Sequence, residues 1–366
     1  MAIRARRARR RRGTVAAMLL RPEVVAARTL YRDRRSRRHA AEIEDRPDSR
    51  RTALVSPKHL NLASNYVDTI SFILNLQHFL NVRPNRKRRT KYLDFADLET
   101  IDLGALLMIA AELDTHLGPY SKQGRQTGDL RDADTHLWSP SISYLFQHFG
   151  IFDLVGYKPT QTLPRDAVQN IEVVKFRRNV LIQPKVAFDL IDDIGKLSPT
   201  RDENQRSRMY EALVEAMSNT TMHAYPKNSY MNYPGRTLKY WWGGALYDKE
   251  NEQTVFVLFD RGIGLPKTIP SRPWIRTLID PQSASDAALI SVALTQSRSQ
   301  TGLPQHGKGL PQMADAVDLR EGSELRILSG KGIVVYRGKD KITEDELPID
   351  IGGSLIQWVI SERGAP

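Results

Sequence analysis

The stretch that most limits the fold of this chain lies in its middle, at residues 206–225. It is rich in Ala, Met, Leu and Glu and has no Gly or Pro before Pro226, which predicts a helix that ends there. Glu215, Asn219 and His223 follow one another at intervals of four, so a helix places them on one face. A polar face of this kind is most often solvated. The alternative is a metal–phosphate site, because a carboxylate, an amide and an imidazole suit one.

Length and composition indicate a globular protein with room for two domains. The chain has 366 residues, of which 40% are apolar and 26% are charged. It contains no cysteine, which excludes disulfides, thiolate metal sites and cysteine nucleophiles and fits a reducing, cytoplasmic location. No apolar run approaches the ~20 residues needed to cross a bilayer.

The positive charge is concentrated at the N-terminus. Residues 1–52 hold 17 Arg and no Lys against 6 acidic residues, so they carry a net charge of +11 out of +12 for the whole chain. This density of like charge predicts a disordered basic arm with at most one short helix, at residues 15–30. One interpretation is an arm that binds nucleic acid or an anionic surface through counterion release. The other is a solubilising tail, or a segment upstream of the true start.

Residues 56–160 predict a small α/β domain. The stretch begins with apolar residues that recur with the period of a helix. A predicted strand follows at Tyr92–Phe95, and then an amphipathic helix at Ala105–Leu117 that Asp102 and Gly104 precede. A third helical segment, SISYLFQHFGIFDLVGY, comes after a proline. The basic cluster RKRR between the first helix and the strand is typical of a solvated turn.

The segment LDFADLETIDLGALLMIAAEL resembles the STAS domain of anti-sigma-factor antagonists. In that family a strand leads to a loop and a helix that carry a regulatory phosphoserine. Here Leu103 and Gly104 follow Asp102 where the family has the serine. The resemblance therefore implies a STAS-like docking or sensing module that lacks the phosphoacceptor.

Residues 161–200 are predicted to be a connector with a strand–helix lead-in, and residues 201–361 a second domain. After its opening helix we expect two antiparallel strands around DKENEQ and a helix near residues 286–296. A helix over PQMADAVD, a hairpin around SGKG and a last strand, GGSLIQWVI, complete this domain.

Two glycine motifs follow the central elements of the second domain. Asp260 comes directly after a buried strand, and Gly262 and Gly264 let the backbone turn tightly and approach a ligand closely. Gly307 and Gly309 open the helix over PQMADAVD. The N-terminus of such a helix offers free N–H groups and a positive dipole end to phosphates.

These motifs occur in one order, as Glu215-x-x-x-Asn219, Asp260-x-Gly-x-Gly and Gly307-x-Gly-Leu, and Gly353-Ser354 closes the set. The set resembles the ATP-binding domain shared by gyrase B, the large heat-shock chaperones, histidine kinases and MutL, the GHKL superfamily. The resemblance covers most of residues 201–361. It implies an α+β fold, namely a two-layer α/β sandwich in which helices cover one face of a mixed sheet.

The resemblance also implies ATP and Mg²⁺ as ligands, held between the helix and a lid. Asn219 would coordinate Mg²⁺ through its amide oxygen, and Glu215 would orient or deprotonate the attacking water. Asp260 would accept a hydrogen bond from the adenine amino group. Gly262 and Gly264 would pass under the base.

The remaining candidates come from the lid, the last strand and the helix end. Four residues form the implied phosphate cradle: Gly307, Lys308, Gly309 and Leu310. Ser354 takes the place of the threonine that bonds adenine through water in the family. Arg298, in the lid segment SRSQTGLPQHGKG, is a candidate for the γ-phosphate. His223 stands where many histidine kinases have a histidine or tyrosine, and a structural role is the other interpretation.

Two functional hypotheses follow. No helix carries the dimerisation-hairpin pattern of His, Glu or Asp, and Pro, which argues against an autophosphorylating histidine kinase. No transducer domain is expected after residue 361, which argues against topoisomerase or clamp chemistry.

The first hypothesis is an ATP-binding regulatory protein that hydrolyses ATP slowly or phosphorylates a protein partner as a serine-type kinase, with lid ordering as the switch. The second is a nucleic-acid-associated protein in which ATP is a structural or gating ligand. A homodimer is compatible with either.

Overall fold

A computed structural model describes part of the chain. The described residues are 51–81, 90–121, 135, 138–157, 163, 170–197, 202–226, 239–271, 273–295 and 309–363. The predicted basic arm lies outside them except for Arg51 and Thr52, which begin the first strand. No helix within the described ranges combines the length and the apolar character needed to span a membrane.

The chain divides into two compact units. The first unit contains the described residues up to Ile101, within 112–143 and within 151–162. The second unit contains residues 102–111 and 144–150 and the described residues from 163 onward. The units are considered separately below.

The first unit contains two pairs of short parallel strands. Its first elements are β1 (Arg51–Val55), β2 (His59–Leu60), α1 (Tyr66–Asn81), β3 (Thr90–Asp94) and β4 (Thr100–Ile101). β1 pairs with β3, and β2 pairs with β4, both in parallel. Parallel neighbours need a crossover connection, and α1 provides it. The strand predicted at Tyr92–Phe95 is therefore present as β3, and it begins two residues earlier.

Three helices follow β4. They are α2 (Leu103–Ser121), α3 (Pro140–Phe149) and α4 (Ile151–Leu154). α2 begins before the predicted Ala105 because the Asp102 carboxylate accepts a hydrogen bond from the Ala105 N–H at 2.7 Å and so caps the helix. Gly104 therefore lies in the first turn of α2 and not in an entry loop.

The second unit is built on a seven-stranded sheet, counted over the described residues. Its strands are β5 (Ile171–Asn179), β6 (Trp241–Asp248), β7 (Gln253–Asp260), β8 (Glu324–Ser329), β9 (Gly332–Tyr336), β10 (Ile342–Glu346) and β11 (Ser354–Ser361). They lie in the order β10-β9-β8-β11-β7-β6-β5. The two predicted hairpins, β6–β7 and β8–β9, are confirmed. The strand–helix lead-in predicted within residues 161–200 is present as β5 and a helix at Pro184–Gly195. The acidic sequence of β10 is one that does not predict a strand.

Helices of the second unit pack on this sheet. They are α5 (Pro184–Gly195), α6 (Glu203–Asn219), α7 (Leu265–Thr268), α8 (Asp286–Thr295) and α9 (Gly309–Asp318). α6 continues as a π-helical segment at Thr220–Ala224, and short 3₁₀ turns occupy Ile269–Ser271 and Pro273–Thr277. Two buried tryptophans, Trp241 and Trp358, are among the largest side chains in this core.

The expected mixed sheet is wrong, because every neighbouring pair among the described strands of this sheet is antiparallel. The physical reason is the place of β11 between β7 and β8. It is antiparallel to both, so β7 and β8 run in the same direction without pairing. The segment between them makes the crossover that strands of one direction need, and β11 fills the gap.

The expectation that helices cover one face of the sheet is also wrong at β6. Gly243 and Gly244 are neighbours in this strand and face opposite sides. An added Cβ at Gly243 would lie 3.7 Å from Leu190 of α5, whereas one at Gly244 would lie 2.7 Å from the ring of Phe149 of α3. Because Gly244 has no side chain, the aromatic ring fits closely against the strand. The fold is α+β, with a third layer at this part of the sheet.

Candidate functional site

Helix α6 carries the first predicted motif, and its sequence determines where it begins and what it buries. The carboxylate of Asp202 accepts hydrogen bonds from the N–H groups of Asn204 at 2.9 Å and Gln205 at 3.3 Å, which is an N-cap. Leu213 and Met217 are fully buried in the core of the second unit. The polar face of α6 is therefore held in a fixed orientation.

Glu215 and Asn219 lie together on α6, as predicted. The Asn219 amide donates to the carbonyl oxygen of Glu215 at 3.2 Å and to its carboxylate Oε1 at 3.1 Å. His223 does not extend this face, since Asn219 is buried and His223 is exposed. The wider turn of the π-helical segment that starts at Thr220 interrupts the period of α6 between these two residues.

Gly309, the first residue of α9, lies against this pair. An added Cβ at Gly309 would lie 2.8 Å from Glu215 Oε1 and 3.8 Å from Asn219 Nδ2, so the close approach depends on glycine. Leu310 is fully buried in the core, and a ligand would therefore meet its backbone and not its side chain. The other predicted lid and cradle residues lie outside the described residues: Arg298, Gly307 and Lys308.

Two buried donors hold α9 in place. The side-chain amide of Gln205, on α6, donates to the carbonyl oxygen of Ala316 at 2.8 Å. The indole N–H of Trp358, on β11, donates to the carbonyl oxygen of Met313 at 2.8 Å. Both acceptors belong to α9. The position of Gly309 beside Glu215 is therefore supported by the sheet and by α6.

Asp260 ends β7 with a buried carboxylate that is 4% exposed. Its Oδ1 accepts a hydrogen bond from the Gly262 N–H at 2.7 Å, and its Oδ2 accepts one from the Thr220 hydroxyl at 3.1 Å. Burial raises the pKa of Asp260 to about 6, and the two hydrogen bonds limit that rise. Each oxygen keeps one lone pair, so the carboxylate can accept a further hydrogen bond from a ligand.

Gly262 and Gly264, which are predicted to approach a ligand, lie close to neighbouring parts of the protein. An added Cβ at Gly262 would lie 2.4 Å from both the Cβ and the carbonyl oxygen of Ala224, the last residue of the π-helical segment. The N–H of Ile263 donates to that carbonyl at 2.9 Å. Gly264 has a φ of 88°, in the left-handed region that glycine adopts readily.

Ser354 lies beside Asp260, in register with it on the neighbouring strand β11. On its other side Ser354 is in register with Ser329 of β8, and the two hydroxyls are 2.9 Å apart. Ser329 Oγ also accepts a hydrogen bond from the Leu265 N–H at 2.8 Å and lies 3.0 Å from the carbonyl oxygen of Gly353. These hydroxyls join the end of β7 to β11 and β8.

Tyr225 ties the end of the π-helical segment to the end of β7. Its hydroxyl donates to the carbonyl oxygen of Tyr240 at 2.6 Å and accepts from the Arg261 N–H at 3.1 Å. Burial, and next the negative charge of Asp260, raise the pKa of Tyr225. The phenol therefore remains a protonated donor.

Sequence reasoning missed three residues of this site: Thr220, Tyr225 and Ser329. Thr220 and Tyr225 follow Asn219 within the stretch NTTMHAY. Hydroxyl side chains so close to the end of the helix that carries the motif could have been predicted to lie at the site. Ser329 gives no such signal. Its place in the site results from the strand order β7-β11-β8, which no local pattern encodes.

The oxygen donors near Asn219 are too few to hold a metal ion alone. Within the described part of the chain, no cluster of three or more His, Asp or Glu side chains is placed to bind one. A Mg²⁺ ion at Asn219 would take most of its ligands from phosphate and water oxygens, which is its usual preference. The residues present therefore fit a magnesium–nucleotide complex better than a free ion.

A scan of protein-family models found no match to this chain, and a search of curated protein sequences also found none.

Proposed function

We propose that the chain is an ATP-binding regulatory protein whose Mg-ATP site lies between α6 and the end of β7. One observation carries this proposal. Two consecutive residues, Asn219 and Thr220, belong to two different clusters. Asn219 lies with Glu215 and Gly309. Thr220 donates a hydrogen bond to the carboxylate of Asp260. The carboxylate suited to a nucleobase, at the end of β7, and the amide suited to a metal–phosphate group, on α6, are thus held next to the same helix end.

The Asp260 cluster supports recognition of the base. A buried carboxylate with free lone pairs would be an acceptor for an exocyclic amino group, and the N–H of Gly262 holds the following backbone close to it. Ser354, in register beside Asp260, adds a buried hydroxyl. Adenine offers an amino group at position 6, which matches this acceptor.

The Glu215 cluster supports phosphoryl chemistry. When bound, Mg-ATP would supply the phosphoanhydride bond that is broken. Asn219 would offer its amide oxygen to the metal, and the N–H groups of Gly309 and Leu310 at the start of α9 would be donors for phosphate oxygens, whereas Pro311 has no N–H. Glu215 would accept a proton from water, giving slow hydrolysis, or from a hydroxyl of a protein partner, giving phosphorylation.

Binding of Mg-ATP to wild type and Asp260→Asn tests the base site. We expect wild type to bind and Asp260→Asn to bind at least about tenfold more weakly, because an acceptor becomes partly a donor. Glu344→Gln is the matched control, since Glu344 is an exposed carboxylate on β10. If wild type does not bind, or if Asp260→Asn binds as wild type does, the proposal is wrong. Calorimetry measures the affinities directly.

Turnover by Glu215→Gln tests the phosphoryl site. This variant retains an oxygen for the Asn219 amide but cannot take a proton, so we expect ATP binding to persist while turnover falls about 100-fold or more. Glu211→Gln is the control, because Glu211 lies one turn earlier on α6 and pairs with Arg208 at 3.2 Å. Unchanged turnover in Glu215→Gln would exclude the assigned role. Phosphate release, with and without a candidate partner, is the measurement.

A further inference from the structure

Three hydrogen bonds join the π-helical segment and the following Tyr225 to the end of β7 and the residues after it. Thr220 donates to the Asp260 carboxylate at 3.1 Å, and the carbonyl of Ala224 accepts from the Ile263 N–H at 2.9 Å. Next to them, Tyr225 accepts from the N–H of Arg261. Of these three contacts, the one from Thr220 alone reaches the carboxylate that faces the proposed ligand.

We propose that Thr220 is a specificity-determining positioning residue, whose hydroxyl keeps Asp260 a hydrogen-bond acceptor so that the site selects a 6-amino purine over a 6-oxo purine. This proposal rests on the proposed function. It concerns how the site discriminates between bases, which goes beyond the presence of a base site.

The geometry around Thr220 supports this role. Its hydroxyl is buried and lies 3.1 Å from Asp260 Oδ2 and 3.2 Å from the carbonyl oxygen of Ala216. A hydroxyl has one hydrogen, and an ionised carboxylate is the stronger acceptor, so the hydrogen points to Asp260 while the carboxylate is charged. With Gly262 donating to Oδ1, both oxygens are then occupied by donors and no proton is needed on either.

Of the two hydrogen bonds to the Asp260 carboxylate, the one from Thr220 comes from a side chain and can be removed by substitution. Among the described residues, the phenol of Tyr225 at the helix end interacts electrostatically with this carboxylate, and Arg261 follows it directly in the chain. The strands on either side present Ser354 of β11 and Trp241 of β6 in register with it. Loss of the Thr220 hydroxyl would remove one of the two hydrogen bonds that lower the pKa of Asp260.

The consequence for recognition follows from hydrogen-bond polarity. An ionised carboxylate accepts from the amino group of adenine and repels the oxygen that hypoxanthine has at the same position. A protonated carboxyl can donate to that oxygen, so protonation weakens the preference for adenine. A site that hydrogen-bonds a substrate group discriminates strongly because the wrong group leaves buried polar atoms unpaired.

ADP and IDP are the probes, because their bases differ at position 6. Their affinities are measured by calorimetry between pH 5 and 8 for wild type, Thr220→Val, Thr220→Ala and Thr220→Ser. We expect wild type to prefer ADP and to lose this preference as pH falls through about 6. In Thr220→Val and Thr220→Ala the preference at pH 7 falls about tenfold and its midpoint rises by about one pH unit. Thr220→Ser behaves as wild type.

Thr221→Val is the matched control. The Thr221 hydroxyl also donates to a carbonyl four residues earlier, Met217 at 2.8 Å, but does not contact Asp260. Thr220→Ala carries the test if the valine variant does not fold. If the alanine and valine variants keep the wild-type ratio and midpoint while Asp260→Asn abolishes ADP binding, this inference is wrong and the proposed function stands. If wild type binds neither nucleotide, the proposed function itself fails.

Discussion

Asp260 is a buried carboxylate whose ionisation lowers the free energy of unfolding of the protein. Burial is the largest influence on it and raises its pKa from 3.8 to about 6. Between these two values the folded protein holds a proton that the unfolded chain has already released. The contribution of this group to stability is therefore fully present below 3.8 and is lost as the pH rises through about 6. A group with this property is typical of a functional site.

Asp260→Asn is expected to make the ligand-free protein more stable than wild type at high pH. The asparagine oxygen can still accept from Gly262, and its amide can donate to Thr220, which can then donate to Ala216. The difference in free energy of unfolding should be small near pH 4 and reach on the order of 3 kcal/mol above pH 7. Urea unfolding across this pH range measures it, and a difference that does not change with pH would contradict the prediction.

Much of the site at the residue scale could be predicted from sequence, but not its connections. Two of its parts are local motifs, namely Glu215 with Asn219 and Asp260 with its two glycines. The residues of a local motif lie close together in sequence, so their spacing already indicates that they lie close together in the fold. The hydrogen bond from Thr220 to Asp260 joins two different motifs, so it depends on how α6 packs against the sheet. His223 illustrates the opposite case, because the π-helical segment alters a spacing that the sequence alone presents as regular.

At the scale of elements, the junction between the π-helical segment and β7 is a tightly packed part of the site. Gly262 lies so close to Ala224 that an added Cβ would meet both its side chain and its backbone. Backbone cannot move aside as a flexible side chain can. Gly309 differs, because the nearest atom to its added Cβ is the end of the Glu215 side chain. A substitution at Gly262 would therefore meet backbone, whereas one at Gly309 would meet a side chain that can move.

Gly262→Ala should destabilise the protein strongly, whereas Gly243→Ala should not. The new methyl group at Gly262 would overlap Ala224, and we expect a loss of about 3 kcal/mol. An added Cβ at Gly243 meets its neighbours at 3.6 Å or more, which is ordinary contact, so the change should be within about 1 kcal/mol. Thermal and urea unfolding of both variants provide the comparison. Equal stabilities would show that the junction can relax.

Element types were more predictable than element relations. The hairpin strands, α8 and α9 follow from alternation, helical period and turn residues. The wrong expectations, a mixed sheet and helices on one face, both concern which elements become neighbours. These depend on the insertion of β11 and on the fit of Phe149 at Gly244, which arise between residues far apart in sequence.

At the scale of the whole molecule, charge and the proposed site lie in different parts of the sequence. The 17 Arg of residues 1–52 account for nearly all of the net charge, while the proposed site is built from residues 215–354. Two separable activities are the simplest expectation. The hypothesis of a nucleic-acid-associated protein can therefore be tested independently of ATP.

Deletion of residues 1–50 keeps β1 intact and removes 16 of those arginines. We expect this deletion to leave the affinity for Mg-ATP unchanged and to remove any steeply salt-dependent affinity for DNA or RNA. Fluorescence anisotropy with a labelled duplex at several salt concentrations measures the second effect. A chain in which the arginines are replaced by serines is the matched control for length. Retention of the salt-dependent binding in both would place the nucleic-acid surface elsewhere.

The order in which a ribosome makes this chain sets when its proposed site can first exist. β11 is the last of the described strands in sequence, yet it lies between β7 and β8 and brings Ser354 beside Asp260. A chain whose synthesis has not reached the end of β11 lacks the strand that separates β7 from β8 and that places Ser354 beside Asp260. The proposed site would therefore be complete only after β11 has been made.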